Sequence, residues 1–368
     1  MAEAFLSVPR EHFLPEVVER DGLEAVYRDD AIVTRRDERG MPVSSSSQPS
    51  IMAAMLEALS VEPGHRILEV GTGTGYNAAL LATLVGTTGQ VTSVELDPEL
   101  AARAAGALRQ GDQPVEVVVG DGHAGWPPGA PYDRMIVTAS GPDVPRAWFD
   151  QLGEGALVVM PLWLRGPLQS VVVLRRRAQG FESLAIIPGG FMGLRRSLDE
   201  PPPTLRDQLS AWDHVDPQSE RRPLVSLSGA ALRRLDPSER RRLLALALVP
   251  PREAPLPVPA PHADLCLFVT LAAPHDRLVE CYDGSRSEAA PGLVGRLGAS
   301  LAVLGRGPVV DHLDAWGGRE AVEALTGLVA RWEGLGRPGR EQLRVEVSYG
   351  RDPEAIRRDD GTLTFDWV

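Results

Sequence analysis

Between residues 66 and 138, apolar positions arrive in short runs: Ile67-Leu68-Glu69-Val70, Val91-Thr92-Ser93-Val94, Val115–Val119 and Arg134–Thr138. Each has the length of a strand. Two helical stretches lie among them. Asn77–Val85 is rich in Ala and Leu, and Glu99–Arg109 is entered through Asp97-Pro98, an N-cap residue followed by Pro at the first helical position. Strands alternating with helices predict an α/β fold built on a doubly wound sheet. Further on, Ala156–Met160 reads as a strand, and Ser170–Arg175 with Phe181–Ile187 as a late hairpin.

The flanks are less regular. Residues 1–43 carry mixed charge without a long periodic run. Ser44-Ser45-Ser46-Ser47 has the composition of a flexible linker. The amphipathic stretch Ile51–Leu59 follows it directly, which places Ser47 or Ser50 to cap a helix. Free N–H groups at a helix start with Ser hydroxyls beside them make a carboxylate-binding site. From Asp199 the texture changes. Pro201-Pro202-Pro203 and the Pro-dense Pro250–Pro261 read as linker, with a helical pattern over Leu227–Leu248 in which Asp236-Pro237 opens a short helix. Beyond them Leu265–Leu271, Arg277–Tyr282, Ala299–Leu304 and Gln342–Ser348 are strand-like, and Arg319–Glu333 is helical. The expected organisation is a first domain over 1–198, a Pro-rich linker with helices over 199–261, and a second, smaller α+β domain over 262–368.

The first candidate chemistry is the turn after Val70. Gly71, Gly73 and Gly75 form Gly-x-Gly-x-Gly, and Tyr76 stands where a dinucleotide fingerprint needs its third glycine. That spacing favours S-adenosylmethionine (SAM), which has no pyrophosphate to seat, over a nicotinamide cofactor. Glu95 closes the next strand about 20 residues on, where an acid that bonds ribose hydroxyls belongs. Gly120-Asp121-Gly122 closes the third, in place to meet the adenine. The expected cofactor set is Glu69, Gly71, Thr72, Gly73, Thr74, Gly75, Asn77, Glu95, Leu96, Gly120, Asp121 and Gly122. For Glu69 and Asp133, hydrogen bonding within a strand end or turn is an equal alternative.

Composition narrows the partners. Net charge is −12 with a pI of about 5.2, and all 38 basic residues are Arg, so nucleic acid is not an attractive bulk partner. No segment is apolar enough for a membrane span and MAEAFLSVPREHFL lacks a signal-peptide core, which predicts a cytoplasmic protein. Cys266 and Cys281, both in strand-like runs, read as buried reduced thiols. The seven His residues show no ligand spacing, so no metal is expected. His12 and His123 read as structural rather than as bases.

Six stretches in one order resemble the protein-L-isoaspartate O-methyltransferases: VPREHFLP (8–15), SSQPSIMAAMLEAL (46–59), ILEVGTGTGYNAALLA (67–82), VTSVELDPELAARA (91–104), GDGHAGWP (120–127) and APYDRMIVTAS (130–140). The resemblance covers about Ser7 to Leu194. It implies a SAM-dependent methyltransferase with a Rossmann-like doubly wound sheet ending in an antiparallel strand. Ser47 matches the serine that faces the substrate carboxylate, Ser46 stands where the family usually has Ile, and Gln48 completes the catalytic segment. Phe191–Arg195 matches a segment near the substrate opening. The C-terminal part exceeds ordinary repair enzymes. Two-part relatives of this kind accompany gene clusters for ribosomally made modified peptides, where they esterify an Asp.

Methyl transfer to a carboxylate needs no strong base, because the acceptor is already ionised at neutral pH. Positioning and exclusion of water supply the catalysis. The expected partner is therefore a peptide or protein carrying Asp or isoAsp, with no nucleic acid and no membrane. The second part and Ser46 favour tailoring of a modified precursor peptide, through a methyl ester and succinimide. General isoAsp repair is the alternative, and a SAM-binding protein without turnover a further one.

Overall fold

The structure is a computed structural model. It describes residues 1–38, 40, 42–165, 168–199, 208–212, 223–283, 290–349, 356–357 and 362–368. Two compact units divide the chain. Met1–Trp163, Gln169–Pro203 and Arg344–Asp366 form the first; Leu164–Leu168, Thr204–Leu343 and Trp367–Val368 form the second.

The first unit opens with short helices, α1 (Ala2–Ser7), α2 (Pro15–Asp21) and α3 (Leu23–Val26), with a 3-10 turn at Arg10–Phe13. An antiparallel hairpin follows, β1 (Ile32–Arg36) and β2 (Pro42–Ser46), with Ile32 opposite Ser46. The serine run is therefore a strand end with Ser44 and Ser46 buried, not a loose linker. Helix α4 (Pro49–Leu59) starts three residues later with Gln48 at the N-cap position and Pro49 first in the helix. Neither Ser47 nor Ser50 caps it. Asp29 does that work from a distance, accepting the Ser50 N–H at 2.8 Å and the Gln48 side-chain amide at 3.0 Å. An orphan N–H at a helix start needs an acceptor, and the chain need not supply it locally.

The sheet then builds as expected: β3 (Arg66–Val70), α5 (Tyr76–Val85), β4 (Gln90–Glu95), α6 (Pro98–Gln110), β5 (Val115–Val119), β6 (Tyr132–Val137), α7 (Arg146–Gln151), β7 (Leu152–Arg165), β8 (Leu168–Arg177) and β9 (Gly180–Ile187). Asp97 caps α6, accepting the N–H groups of Glu99 at 2.9 Å and Leu100 at 3.4 Å. Strand β3 pairs in parallel with both β4 and β6; β5 lies beyond β4 and β7 beyond β6. The strand order thus reverses beside β3, which opens a crevice at the carboxyl ends of the strands. Ala78–Leu81 of α5 are fully buried in a core shared with Met55, Leu56 and Leu59 of α4. That burial anchors both helix N-termini at the crevice.

The second unit holds β10 (Gln208–Trp212), β11 (Pro223–Ser228), α8 (Ala231–Arg234), α9 (Pro237–Ala247), β12 (Arg252–Pro261), α10 (His262–Ala272), β13 (Leu278–Asp283), β14 (Ala290–Val294), β15 (Ser300–Leu304), β16 (Val309–Gly317) and α11 (Glu320–Gly334). Its sheet runs β10-β11-β13-β14-β15-β16-β12. Helices α10 and α11 pack on one face, α8 and α9 on the other, and Asp236 opens α9 with a capping box. Three expectations change here. Leu265–Leu271 is the buried middle of helix α10, not a strand, because an unbroken apolar run carries no period that separates the two. Cys266 therefore lies on a helix, partly exposed, while Cys281 is buried in β13. Arg252–Pro261 is an edge strand, paired with β16 through a register break between Pro255 and Ala260. Proline tolerates an edge because it has no N–H to leave unpaired. The run Pro201-Pro202-Pro203 lies outside the described residues.

The chain then returns to the first sheet with β17 (Leu343–Ser348), β18 (Ile356–Arg357) and β19 (Thr362–Trp367). Val347 of β17 stands opposite Phe181 of β9 in an antiparallel pair. The strand expected at Gln342–Ser348 exists, but it extends the first unit's sheet and covers an edge that β9 would otherwise expose. The final residues thus divide otherwise than a single domain over 262–368.

Candidate active site

The crevice beside β3 is shaped by the glycine turn. Gly71, Gly73 and Gly75 all have positive φ, of 97°, 55° and 90°. At Gly71 a Cβ would lie 2.5 Å from Thr138 Oγ1, so glycine is required there both for conformation and for space. The Thr138 hydroxyl donates to the Gly71 carbonyl at 2.7 Å, tying the end of β6 to the turn.

Two acids flank this turn and do different things. Glu95, nearly buried, accepts the N–H groups of Gly73 at 2.9 Å and Asp97 at 3.1 Å. Burial pushes its carboxyl up from the usual range, opposed by those backbone bonds. Glu69 is 0% exposed and faces inward, not toward the crevice. It accepts the Asn77 amide at 2.7 Å and the Ser93 hydroxyl at 2.5 Å, and Ser93 lies 2.6 Å from the Thr72 hydroxyl. Burial raises its pKa to about 7. Glu69 thus holds the turn in place from below.

The cleft opens to solvent. Ser46, Ser47, Gly71, Thr72, Gly73, Thr74, Asn77, Glu95, Leu96 and Gly122 line it. Gln48, Glu69, Gly75, Gly120 and Asp121 are outside the lining. Gly75 is instead the left-handed N-cap of α5. Asp121 accepts the His123 N–H and stands 2.9 Å from His123 Nδ1. Asp133 accepts the Arg66 N–H at 2.8 Å, at the far end of β3 from the turn. His12 Nε2 lies 2.8 Å from the Ala107 carbonyl oxygen, and neither it nor His123 lines the cleft.

The opposite wall comes from β2 and the entry to α4, with Met52 and Tyr76 between the walls and Met192, Leu194 and Arg195 also contributing. The Ser47 hydroxyl has no hydrogen-bond partner among the described residues. The Ser46 hydroxyl accepts from Arg10 Nη2 at 3.3 Å, and the Ser47 carbonyl accepts from the same nitrogen at 2.9 Å. Arg10 and Thr138 were missed from sequence. Both lie in stretches that carry the family resemblance, VPREHFLP (8–15) and APYDRMIVTAS (130–140), but their partners lie far along the chain, so their roles are not readable from spacing.

The residues present fit SAM. The turn 71–77 carries no cation for a pyrophosphate. Its acceptors are the Glu95 carboxylate, placed for hydroxyl donors, and Asn77 Oδ1, a buried oxygen without a partner among the described residues. Leu96 and Leu100 give an apolar wall for a ring. A reversed parallel sheet with this turn and this acid defines a SAM-dependent methyltransferase. The sequence model of the family "Protein-L-isoaspartate(D-aspartate) O-methyltransferase (PCMT)" matches residues 1–187. The chain belongs to that family.

Its relatives include a protein-L-isoaspartate O-methyltransferase of Methanopyrus kandleri, 41% identical over an alignment of 197 residues that covers 51% of this chain and 83% of that one. One of Ignicoccus hospitalis is 37% identical over 53% of this chain and 88% of its own. Among solved structures, one described as a protein-L-isoaspartate O-methyltransferase aligns with 100% of this chain and 94% of its own, at a TM-score of 0.52 and 25% identity. Among the described residues no helix is long and apolar enough to cross a membrane.

Proposed function

We propose that this protein esterifies the free carboxylate of an isoaspartyl residue in a peptide or protein. The observation that carries the reading is the Ser47 hydroxyl, unpartnered among the described residues and on the cleft wall across from the glycine turn. When bound, SAM supplies a methyl group on a sulfonium, whose C–S bond breaks as a C–O bond forms to the acceptor. The carboxylate is already ionised, so no residue has to remove a proton. Ser47 donates to one carboxylate oxygen and leaves the other to react. Met52 and Leu194 help keep water from the site. The ester is then open to attack by the next backbone nitrogen; methanol leaves, a succinimide forms, and hydrolysis returns Asp or isoAsp.

Support for repair comes from the family match and the named relatives. The narrower reading, tailoring of a ribosomally made precursor peptide, drew on the second unit and on Ser46. A solved structure described as a protein-L-isoaspartate O-methyltransferase aligns along the whole chain, so the second unit does not favour tailoring. Ser46 Oγ accepts from Arg10 Nη2, so the hydroxyl at that position has a use within the protein that does not depend on a tailoring substrate. The test is methanol release and mass change with SAM on a linear isoAsp peptide and its Asp twin. Turnover of isoAsp alone supports repair. Turnover of neither, with SAM still bound, sinks the repair reading and leaves a dedicated peptide or a protein without turnover.

A further inference from the structure

We infer that Arg10 is a positioning residue for the acceptor: its buried guanidinium sets the Ser46–Ser47 wall and makes the cleft select a carboxylate over a neutral group. This rests on the function proposed above. Arg10 is 1% exposed. Its Nη1 donates to the Val26 carbonyl at 2.7 Å and more weakly to that of Arg28 at 3.4 Å, while Nη2 serves Ser46 Oγ and the Ser47 carbonyl. None of these partners is a carboxylate, and Nε is buried without a partner among the described residues. A guanidinium does not give up its proton to escape such a site.

Buried cations are ordinarily paired, because dipoles alone compensate a charge incompletely. Asp29 is the acid whose charge acts on Arg10, and it is spent on the Ser50 N–H and the Gln48 amide. Arg10 therefore keeps a positive charge one hydrogen bond behind the cleft wall. Arg10 itself is closed off from solvent, so screening of its charge is weak on the protein side. A carboxylate placed against Ser47 would supply the missing counter-charge. The planar fork matters as well. One nitrogen holds a side chain and a carbonyl of adjacent residues, which fixes the Ser47 peptide and hence where its hydroxyl points. The guanidinium also stands 6.0 Å from the ring centroid of Tyr76, the first residue of α5, so it links the acceptor wall to the helix of the glycine turn.

The alternative is a pin that joins the N-terminal segment to the hairpin and does nothing for the acceptor. Full-length wild type, Arg10→Gln and Arg10→Lys separate the two. With S-adenosylhomocysteine bound to prevent turnover, calorimetry measures an isoAsp peptide against its twin carrying the neutral isoasparagine amide. Wild type is expected to prefer the carboxylate by about tenfold or more, and Arg10→Gln to bind both alike with unchanged affinity for S-adenosylhomocysteine. Arg10→Lys keeps the charge without the fork, so it should keep the preference while kcat falls about tenfold. It also carries the test should Arg10→Gln not fold. Preference retained in Arg10→Gln, or lost in a folded Arg10→Lys, overturns Arg10's role. A wild type that binds neither peptide overturns the acceptor assignment itself.

Discussion

Glu95 Oε2 accepts the backbone N–H of Gly73 at 2.9 Å, so the acid ending β4 is bonded directly to the turn that follows β3. Its other oxygen accepts the Asp97 N–H, which joins the start of α6 to the same carboxylate. One side chain therefore orders both banks of the cleft.

Glu95→Ala should weaken S-adenosylhomocysteine binding by about 1–3 kcal/mol, the worth of hydrogen bonds to a charged group. Calorimetry reads it directly. An affinity equal to wild type would remove Glu95 from the cofactor assignment.

Ser47→Ala removes a hydroxyl that lines the cleft and has no partner among the described residues. Affinity for S-adenosylhomocysteine should hold, while kcat/KM on an isoAsp peptide falls by about 10- to 100-fold, equivalent to about 1.5–3 kcal/mol. Unchanged turnover would remove Ser47 from the site.

Glu69 has its pKa raised from 4.5 to about 7 in the folded protein. Between these values the folded state holds the proton more tightly than the unfolded chain. Its contribution to stability is therefore full below the unfolded value and is lost as pH rises through about 7. Across that window wild type should lose on the order of 3 kcal/mol relative to Glu69→Gln, which cannot ionise. Denaturant melts of both proteins at pH 5 and pH 8 check the sign; parallel curves would contradict it.

Asp29→Ala leaves the Ser50 N–H and the Gln48 amide without their carboxylate. The start of α4 should loosen, with a fall in Tm of about 2–4 °C and a drop in kcat larger than any change in cofactor affinity. Calorimetric melting and steady-state kinetics measure the two effects.

Removing residues 199–368 takes away β17 and β19, not only the second unit. Tyr349 goes with them. Its hydroxyl donates to the Val144 carbonyl at 3.1 Å and its ring packs on Phe149 at 5.4 Å between centroids. The truncated protein should expose β9 and the Phe149–Phe181 pair, bind a hydrophobic dye and melt earlier than the full chain. Equal melting temperatures would show that the returning strands contribute nothing to the first unit.

Much of the first unit was legible because its signals are local. The Gly-x-Gly-x-Gly spacing, the Asp97-Pro98 helix entry and the short Val-rich runs each involve residues a few positions apart. The structure puts β3, α5, β4, α6 and β5 on those stretches. The site was legible in part for the same reason. Ser47, residues 71–74 of the turn and Glu95 are read from motifs, and all line one cleft. Glu69 looks the same in sequence, yet its side chain points into the core toward Asn77 and Ser93.

By itself, then, the sequence determined the family, the glycine turn and the order of strands and helices around it, since these follow from short-range spacing and backbone preference. Tertiary structure decided what partner each element takes. It made Leu265–Leu271 a helix by surrounding the run with core, and sent Gln342–Ser348 back to an open edge of the first sheet. It brought Asp29 to the start of α4 and closed Arg10 behind Ser46 and Ser47. Burial and pairing of charged groups depend on which distant segments pack together, and that is settled only when the whole core forms.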